Sequence, residues 1–217
     1  MLMWYSMPMT EMAPQETEDA LEEAQAFFLS MLDDESLIEY SKANPSPVVL
    51  KCVVERIQSL PMENRMAISN NEVTPKSVIQ QLAKRENNAS VLHLLAANPN
   101  LPLENLIQLS FHEHSWVRGG AALNINLPTE HVSRLARDKH FEVREFIASH
   151  KNLTEKDLIL LSNDKEHFVL AAVAANPRLP LRHIKRLSKS KHESVAEVAA
   201  ENLLWVTVNE YNKKISW

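Results

Sequence analysis

The chain has 217 residues, of which 45% are hydrophobic and 24% charged, with a formal net charge of −5. Its two glycines are too few for phosphate-cradling loops, nucleophile elbows or EF-hand loops. The single cysteine, Cys52, excludes an internal disulfide, a multi-cysteine zinc site and a cysteine-ligated cluster, and it favours a reducing, cytoplasmic setting. No run approaches the ~18 apolar residues of a membrane span.

The first third of the chain predicts an arm followed by helices. Residues 1–15 lack the basic start of a signal peptide and are expected to form a flexible N-terminal arm. Residues 16–69 predict an N-terminal helical cap and degenerate repeats, with one amphipathic helix presenting Phe27, Phe28 and Met31 on its apolar face. This part is acidic, because residues 1–96 hold 7 Lys/Arg and 14 Asp/Glu, whereas residues 97–196 hold 14 and 11.

Residues 70–202 repeat with a period of 26 residues. The segments 96–110 and 174–188 share Ala-Ala-Asn-Pro, Leu-Pro-Leu and Leu-Ser at an offset of 78, which is three periods. An asparagine column is interrupted only by His150. The other columns are Leu101/Leu127/Leu153/Leu179, Leu106/Val132/Leu158/Ile184, Val91/Val117/Val143/Val169/Val195 and Ala96/Ala122/Ala148/Ala174/Ala200.

Each repeat predicts two short helices. The first is expected to open with a proline such as Pro102 in its first turn, capped by the preceding asparagine, Asn100. The second carries the valine and alanine columns and is expected to end at Asn98 or its equivalents in the left-handed conformation. Because one such unit cannot bury its own apolar stripe, the repeats should stack into an all-α superhelical solenoid.

The repeat pattern stops after Asn202. Residues 203–217 are expected to form a C-terminal cap in which Leu203, Leu204, Trp205 and Val206 cover the last repeat.

At these columns the sequence resembles the leucine-rich repeat variant family, a bacterial group of HEAT-like helical repeats. The shared pattern is Asn-x-x-Leu/Thr-Pro-x-x-x-Leu-x-x-Leu-Ala/Ser, a turn with Asp, then Val-Arg and Ala-Ala-Asn, and residues 134–150 match it best. The resemblance implies a right-handed αα-superhelix in which one helix of each repeat is short or 3₁₀-like. The family's cysteine-rich iron–sulfur module has no counterpart, so no cofactor is expected.

The outer positions of the first helices become basic toward the C-terminus. Residues 178–192 contain six Lys/Arg and no acid, although like charges four residues apart weaken a helix. The pattern is compatible with a solvated face, with binding of an acidic partner and with binding of nucleic acid. The candidate residues are Arg134, Arg137, Arg178, Arg182, Lys185, Arg186 and Lys189.

Trp116 precedes the only two glycines, Gly119 and Gly120. The pair would permit either a close approach of two helices or a docking notch with Trp116 as its anchor, since tryptophan is favoured in interaction hot spots.

Two further columns carry polar side chains. Arg118 and Arg144 follow the valine column, and Asp138 lies near Arg144, which indicates either a structural Arg–Asp pair or a partner contact. His114, His140, Glu166 and His192 form a column that resembles a metal ladder. Packed helices lie 8–10 Å apart, too far for adjacent rungs to share one zinc, so solvated turn residues are the favoured interpretation.

No serine or cysteine is framed by His and Asp in a recognised catalytic order. The sequence therefore predicts a non-catalytic, cytoplasmic scaffold that binds another protein through its variable columns, without a metal, a cofactor or a membrane contact. The alternative is a nucleic-acid-binding HEAT-like protein that uses the basic C-terminal repeats. The chain as a whole lacks the strongly basic footprint typical of that class.

Overall fold

The computed structural model describes residues 24–25, 27–33, 36–37, 40, 47–56, 60–72 and 74–215. Within these ranges every regular element is a helix, which confirms the all-α class. The chain divides into two compact units, Met1–Glu86 and Asn87–Trp217. The arm predicted at residues 1–15 lies outside the described residues.

The described part of the first unit includes α1 (Pro47–Arg56), α2 (Met62–Asn70) and α3 (Lys76–Arg85), with α3 packed on both others. Residues 27–31 are also helical. Phe27 and Met31 are exposed there, whereas Leu29 is buried, so the predicted apolar face of this segment is wrong.

The second unit contains the regular repeats, in which first and second helices alternate. Both kinds are short α-helices of seven to nine residues, which agrees with the short helices that the resemblance implies, and none of these eight helices is 3₁₀. The first helices are α5 (Leu103–Ser110), α7 (Thr129–Leu135), α9 (Glu155–Leu161) and α11 (Leu181–Leu187). The second helices are α4 (Ala89–Ala97), α6 (Ser115–Leu123), α8 (Phe141–Ile147) and α10 (His167–Ala174), and α12 (Glu193–Ile215) follows in the same position.

The repeat columns form the core. Every member of the columns that start at Val91, Leu101 and Leu106 is buried, as the period predicts. The alanine column is buried from Ala96 to Ala174, but Ala200 is exposed and Ala199 is buried instead. Burial of one apolar stripe per helix against its neighbours is what stabilises a repeat that could not fold alone.

The prolines lie one position earlier than predicted. Pro102 is the N-cap of α5, with φ −56° and ψ 141°, and its carbonyl accepts the first helical bond from the Leu106 N–H at 3.0 Å. Proline suits this position because its missing N–H removes one of the unpaired donors of a helix start. The cap role predicted for Asn100 and its equivalents is therefore wrong.

The asparagine column joins successive repeats instead of adopting the left-handed conformation. Asn124 has φ −77° and ψ 115°, and no described residue has a positive φ. Its Nδ2 donates to the carbonyls of Ala96 and Asn98 at 2.8 Å, and its Oδ1 accepts from the Asn126 N–H at 3.0 Å. Asn176 and Asn202 repeat this bridge at the following junctions.

His150 takes the place of asparagine in this column with both ring nitrogens. Nε2 bonds to the Asn124 carbonyl at 2.9 Å and Nδ1 faces the Asn152 N–H at 3.0 Å. Since a carbonyl can only accept and an N–H can only donate, the ring must be neutral with its proton on Nε2. Burial lowers the pKa of His150, and the nearby Lys151 adds to the effect.

We therefore expect part of the acid sensitivity of folding to come from His150. Because its folded-state pKa lies below its unfolded value of about 6.5, its contribution is complete above that pH and is lost as the pH falls through the folded pKa. His150→Asn should supply both hydrogen bonds without titrating and should flatten the pH dependence of unfolding between about pH 7 and 5. Urea denaturation at several pH values would measure this.

The matched control for that prediction is His114→Asn, since His114 is exposed and caps α6 from a turn. This control should keep the wild-type slope of unfolding free energy against pH. An unchanged slope in His150→Asn would show that the His150 ring does not govern acid stability.

Within the second unit, the second helices pack directly on one another from α4 through α6, α8 and α10 to α12. Neighbouring first helices contact one another far less, and among them α5 and α7 make the largest contact. The second helices therefore form one closely packed row, which we call the inner side, and the first helices form the other row, which we call the outer side.

The helix α12 continues without a break to Ile215. Its predicted capping side chains Leu204 and Trp205 are 67% and 57% exposed, so these two do not cover the last repeat.

Candidate functional site

Two buried ion pairs join successive repeats. Arg118 donates through Nε and Nη2 to both carboxylate oxygens of Asp138, at 2.7 and 2.8 Å. Arg144 holds Asp164 in the same way, at 2.6 and 2.9 Å. The structural interpretation of these arginines is correct, with the acid 20 residues downstream of each arginine. Asp138 offers Arg144 only its backbone carbonyl, at 2.7 Å.

The paired carboxylates are ionised. Burial raises the pKa of Asp138, but hydrogen bonds from Arg118 and the His140 backbone outweigh burial and leave the pKa below its ordinary value. Asp164 has a lowered pKa for the same reasons, through Arg144 and the Glu166 backbone. These shifts arise from internal pairs that bind repeats together, and a structural ion pair explains them without any catalytic role.

Arg134 and Arg186, two of the predicted binding residues, hold the preceding repeat. Arg134 Nη2 donates to the carbonyl of Ser110 and, at 3.1 Å, to its hydroxyl oxygen, and the guanidinium lies 3.9 Å from the centre of the Phe111 ring. Arg186 makes the equivalent bonds to Ser162, 24 residues upstream. The same device thus recurs two repeats apart.

Arg137 and Arg178 are also bonded internally. Arg137 Nη1 donates to Asp157 at 2.7 Å, where the carboxylate also accepts from the hydroxyl of Ser133 at 2.5 Å. Arg178 Nη2 donates to the Leu153 carbonyl at 2.7 Å. These contacts occupy the guanidinium groups of the four arginines, so the four side chains are less available to bind a partner.

The remaining predicted cations are Arg182, Lys185 and Lys189. All three are exposed on α11 or just after it, at positions i, i+3 and i+7, which lie on one side of a helix. Arg182 Nε contacts only the adjacent His183 ring, at 3.0 Å. Within the described part of the chain, none of the three forms an ion pair with a carboxylate.

Trp116 lies in an aromatic cluster on the inner side. Its ring stacks on His93 with centroids 4.1 Å apart and meets the edge of Phe146 at 5.9 Å, and 43% of the residue is exposed. Gly119 and Gly120 are buried beside it, where α4 and α8 approach α6. A close approach of helices is therefore the correct explanation of the glycine pair, which does not bare backbone to solvent.

The histidine column lies at the starts of the second helices. His114 is the N-cap of α6 and its Nδ1 accepts from the Trp116 N–H at 3.3 Å, while His140 and Glu166 are the N-caps of α8 and α10. Among the described residues, no group of three or more His, Cys, Asp or Glu side chains is placed to hold a metal ion.

Together these contacts define an all-α helical repeat protein in which each repeat is fastened to the one before it. No family model matches the chain, and no curated protein matches it. Among solved structures, the chain is similar to one described as a leucine-rich repeat variant with a novel repetitive protein structural motif. The identity is 21%, the match covers 78% of this chain and 82% of that chain, and the TM-score is 0.33.

No described helix has both the length and the apolar composition that crossing a bilayer requires.

The sequence interpretation missed the partners of the polar columns. Each paired aspartate lies 20 residues downstream of its arginine, in the following repeat. Each carbonyl that accepts a hydrogen bond from an asparagine amide lies in the preceding repeat. A search for fixed offsets between polar columns would have found Arg118–Asp138 and Arg144–Asp164, because their spacing is identical.

Proposed function

We propose that this protein is a non-catalytic scaffold that binds an acidic segment of another protein through the basic face of α11. The observation that carries the proposal is the set of three exposed cations, Arg182, Lys185 and Lys189, that lack carboxylate partners in the described part of the chain. Other predicted arginines are bonded within the repeat stack.

The local energetics of α11 support an external partner. Like charges at i, i+3 and i+4 destabilise a helix by a few tenths of a kcal/mol per pair, roughly. An acidic segment laid along this face would remove the repulsion and add charge-assisted hydrogen bonds. Charged side chains at such a rim govern association rate and specificity more than affinity, so moderate, salt-sensitive binding is expected.

The internal pairing of the titrating groups supports the non-catalytic part of the proposal. Asp138, Asp157 and Asp164 have lowered pKa values and each is hydrogen-bonded to an arginine of a neighbouring repeat. A general acid or base needs a proton that it can exchange with a substrate, and these carboxylates are occupied in holding repeats together.

The triple change Arg182→Glu, Lys185→Glu and Lys189→Glu tests the proposal. Binding of a fluorescein-labelled acidic peptide, measured by anisotropy at low salt, should weaken at least about tenfold, because three attractive charges become repulsive. Raising the ionic strength to about 0.15 M should weaken wild-type binding as well. A random DNA duplex of equal charge should bind more weakly than the peptide.

The matched control is Lys139→Glu, Lys151→Glu and Lys165→Glu, which changes the net charge equally at three exposed turn positions outside residues 178–192. Its effect on the acidic peptide should stay below about threefold, as expected for distant, screened charges. Equal losses in both variants, or tighter binding of the duplex than of the peptide, would overturn the assignment of α11 to an acidic protein segment.

A further inference from the structure

The second helices present a surface of a different character from α11. Four positions recur on or just after each of α6, α8, α10 and α12, at i, i+3, i+4 and i+7, so they share one side of each helix; all but the buried Gly119 and Gly120 are exposed or partly exposed. We call these sixteen positions the inner grid. By helix they are Trp116, Gly119, Gly120 and Leu123; Glu142, Glu145, Phe146 and Ser149; Phe168, Ala171, Ala172 and Ala175; and Ser194, Glu197, Val198 and Glu201.

Small side chains form the floor of the inner grid. Gly119 and Gly120 are buried, and Ala171 and Ala172 are partly exposed. The second helices pack directly on one another, so these positions form one continuous row. Ala171 and Ala172 are small and partly exposed, so they leave room for a polypeptide segment, whereas the space beside Gly119 and Gly120 is filled by Phe146 and the His93 backbone. Solenoids usually bind partners along such a row of helices.

Two aromatic residues project from this floor. Trp116 and Phe168 are 43% and 49% exposed, in the same column of the grid. Trp116 is held by stacking on His93, and Phe168 stacks on Phe141 with centroids 6.0 Å apart. Both rings are therefore positioned before a partner arrives, which reduces the entropy lost on binding.

All the formal charge in the inner grid is negative. Its four charged members are Glu142, Glu145, Glu197 and Glu201, and no grid position is Lys or Arg. None of the four glutamates forms an ion pair within the described residues. The arginines of the second helices, Arg118 and Arg144, are buried in their pairs with aspartate.

We propose that the inner grid binds a basic peptide segment of another protein, with arginine side chains placed over Trp116 and Phe168 and paired with the neighbouring glutamates. The chemistry follows from the two features together, because an aromatic face attracts a cation and a nearby carboxylate reinforces the attraction. This surface is separate from the basic face of α11 and has the opposite charge, so it gives the scaffold a second partner class.

The geometry also sets the spacing of the arginines. Trp116 and Phe168 lie two repeats apart, and packed helices are separated by roughly 8–10 Å, so the rings are roughly 16–20 Å apart. An extended chain covers at most about 3.3–3.6 Å per residue, so arginines about five or six residues apart fit both rings.

The experiment uses the 217-residue chain. The probes are synthetic peptides of about twelve residues, a length that spans the grid, with two arginines about five residues apart in a Gly/Ser background. Fluorescence anisotropy measures binding. The variants are Glu142→Gln/Glu145→Gln/Glu197→Gln/Glu201→Gln and Phe168→Ala. Each should weaken binding of the peptide about tenfold, and peptides with lysine in place of arginine should bind less tightly.

The control variant Arg182→Glu/Lys185→Glu/Lys189→Glu changes only the face of α11 and should leave binding of the arginine peptide within about threefold of wild type. Loss of acidic-peptide binding in this control with retention of arginine-peptide binding would separate the two proposals. Thermal unfolding of each variant verifies that it is folded, and Phe168→Tyr, which keeps the aromatic face, should retain binding if Phe168→Ala destabilises the chain.

Three results would overturn the inference. One is equal binding of the arginine peptide to wild type and to the glutamine variant. A second is equal binding of the arginine peptide and of a neutral peptide with glutamine at the same positions. The third is a wild-type dimer in light scattering that becomes monomeric in the glutamine variant, because the grid would then be covered by a second copy of the chain.

Discussion

Gly120→Ala is expected to lower the free energy of unfolding by about 2–4 kcal/mol, although alanine is the better helix former. A Cβ added at Gly120 would lie 2.2 Å from the carbonyl oxygen of His93. That oxygen belongs to the backbone of α4 and cannot rotate away, so the substitution must push α4 from α6. This is the contact on which the start of the second unit's repeat stack depends.

Two opposing effects determine whether Gly120→Ala raises or lowers the free energy of unfolding. Replacing glycine by alanine in a helix interior stabilises the helix by roughly 1 kcal/mol through lower backbone entropy in the unfolded chain. Overpacking a buried contact costs roughly 1–3 kcal/mol, and more when the obstacle is backbone. Separating α4 from α6 would also disturb the stacking of His93 on Trp116.

The adjacent glycine supplies the control. A Cβ at Gly119 would meet only the edge of the Phe146 ring, at 2.9 Å, and this side chain can shift. Gly119→Ala should therefore cost less than Gly120→Ala, and adding Phe146→Leu should restore part of the loss. Urea denaturation followed by circular dichroism measures all three variants. Equal stability of Gly120→Ala and wild type would mean that α4 and α6 are not as close as described.

The period and the core were predictable from the sequence, because burial acts on every repeat in the same way. A buried column such as Val91 through Val195 requires the same residue type in every repeat, and this produces a periodic apolar position in the sequence. The all-α class follows from that periodicity, from the scarcity of glycine and from the prolines that mark helix starts.

The contacts between repeats were less predictable, because each involves positions of unequal type. From the sequence, the amide of Asn124 could equally cap its own helix. The packing of the preceding repeat shows that this amide donates to the Ala96 carbonyl instead. Arg134 looked free for a partner, since its bond to Ser110 goes to a backbone carbonyl that the side-chain pattern does not show. Outward-facing arginines in a stack have the preceding repeat as a competing partner.

The same reasoning explains why the sequence pattern did not predict the inner grid. Its columns vary from Trp116 to Glu142 to Phe168, so no single column signals a function. The grid becomes visible only when four columns are combined on one side of the second helices and their exposure is known. Repeats keep their packing positions constant and diversify exposed ones, and the choice between inner and outer columns required the structure.

Arg118→Leu is expected to destabilise the protein by about 3–5 kcal/mol. The substitution leaves Asp138 as a buried carboxylate without its cation, where the two side chains are now only 7% and 6% exposed. It also removes the Nη1 hydrogen bonds to the carbonyls of His112 and Glu113, each 2.8 Å long. Truncating one partner of a buried pair is costly because the desolvated charge remains.

The chain itself contains the compensating change. The later repeat has Leu170 and Ser190 at the positions of Arg118 and Asp138, so Arg118→Leu/Asp138→Ser copies a pair that this stack already contains. The double variant should be more stable than Arg118→Leu alone, because no orphaned charge remains. A double-mutant cycle by urea denaturation measures the coupling. Additive losses at the two positions would show that the pair contributes nothing as a pair.

The pH dependence of the same variants gives an independent measurement. In the wild type the pKa of Asp138 is lowered, so its contribution to stability is present above the ordinary carboxyl pKa and disappears as the pH falls through the folded value. In Arg118→Leu the guanidinium is gone, so burial raises the pKa of Asp138. Protonation of Asp138 at lower pH then removes the cost of a buried, unpaired charge. The stability gap between wild type and Arg118→Leu should therefore narrow from about pH 7 to 4. A gap that stays constant over this range would mean that Asp138 is solvated in the variant, and that the cost of losing Arg118 comes from the carbonyls of His112 and Glu113 alone.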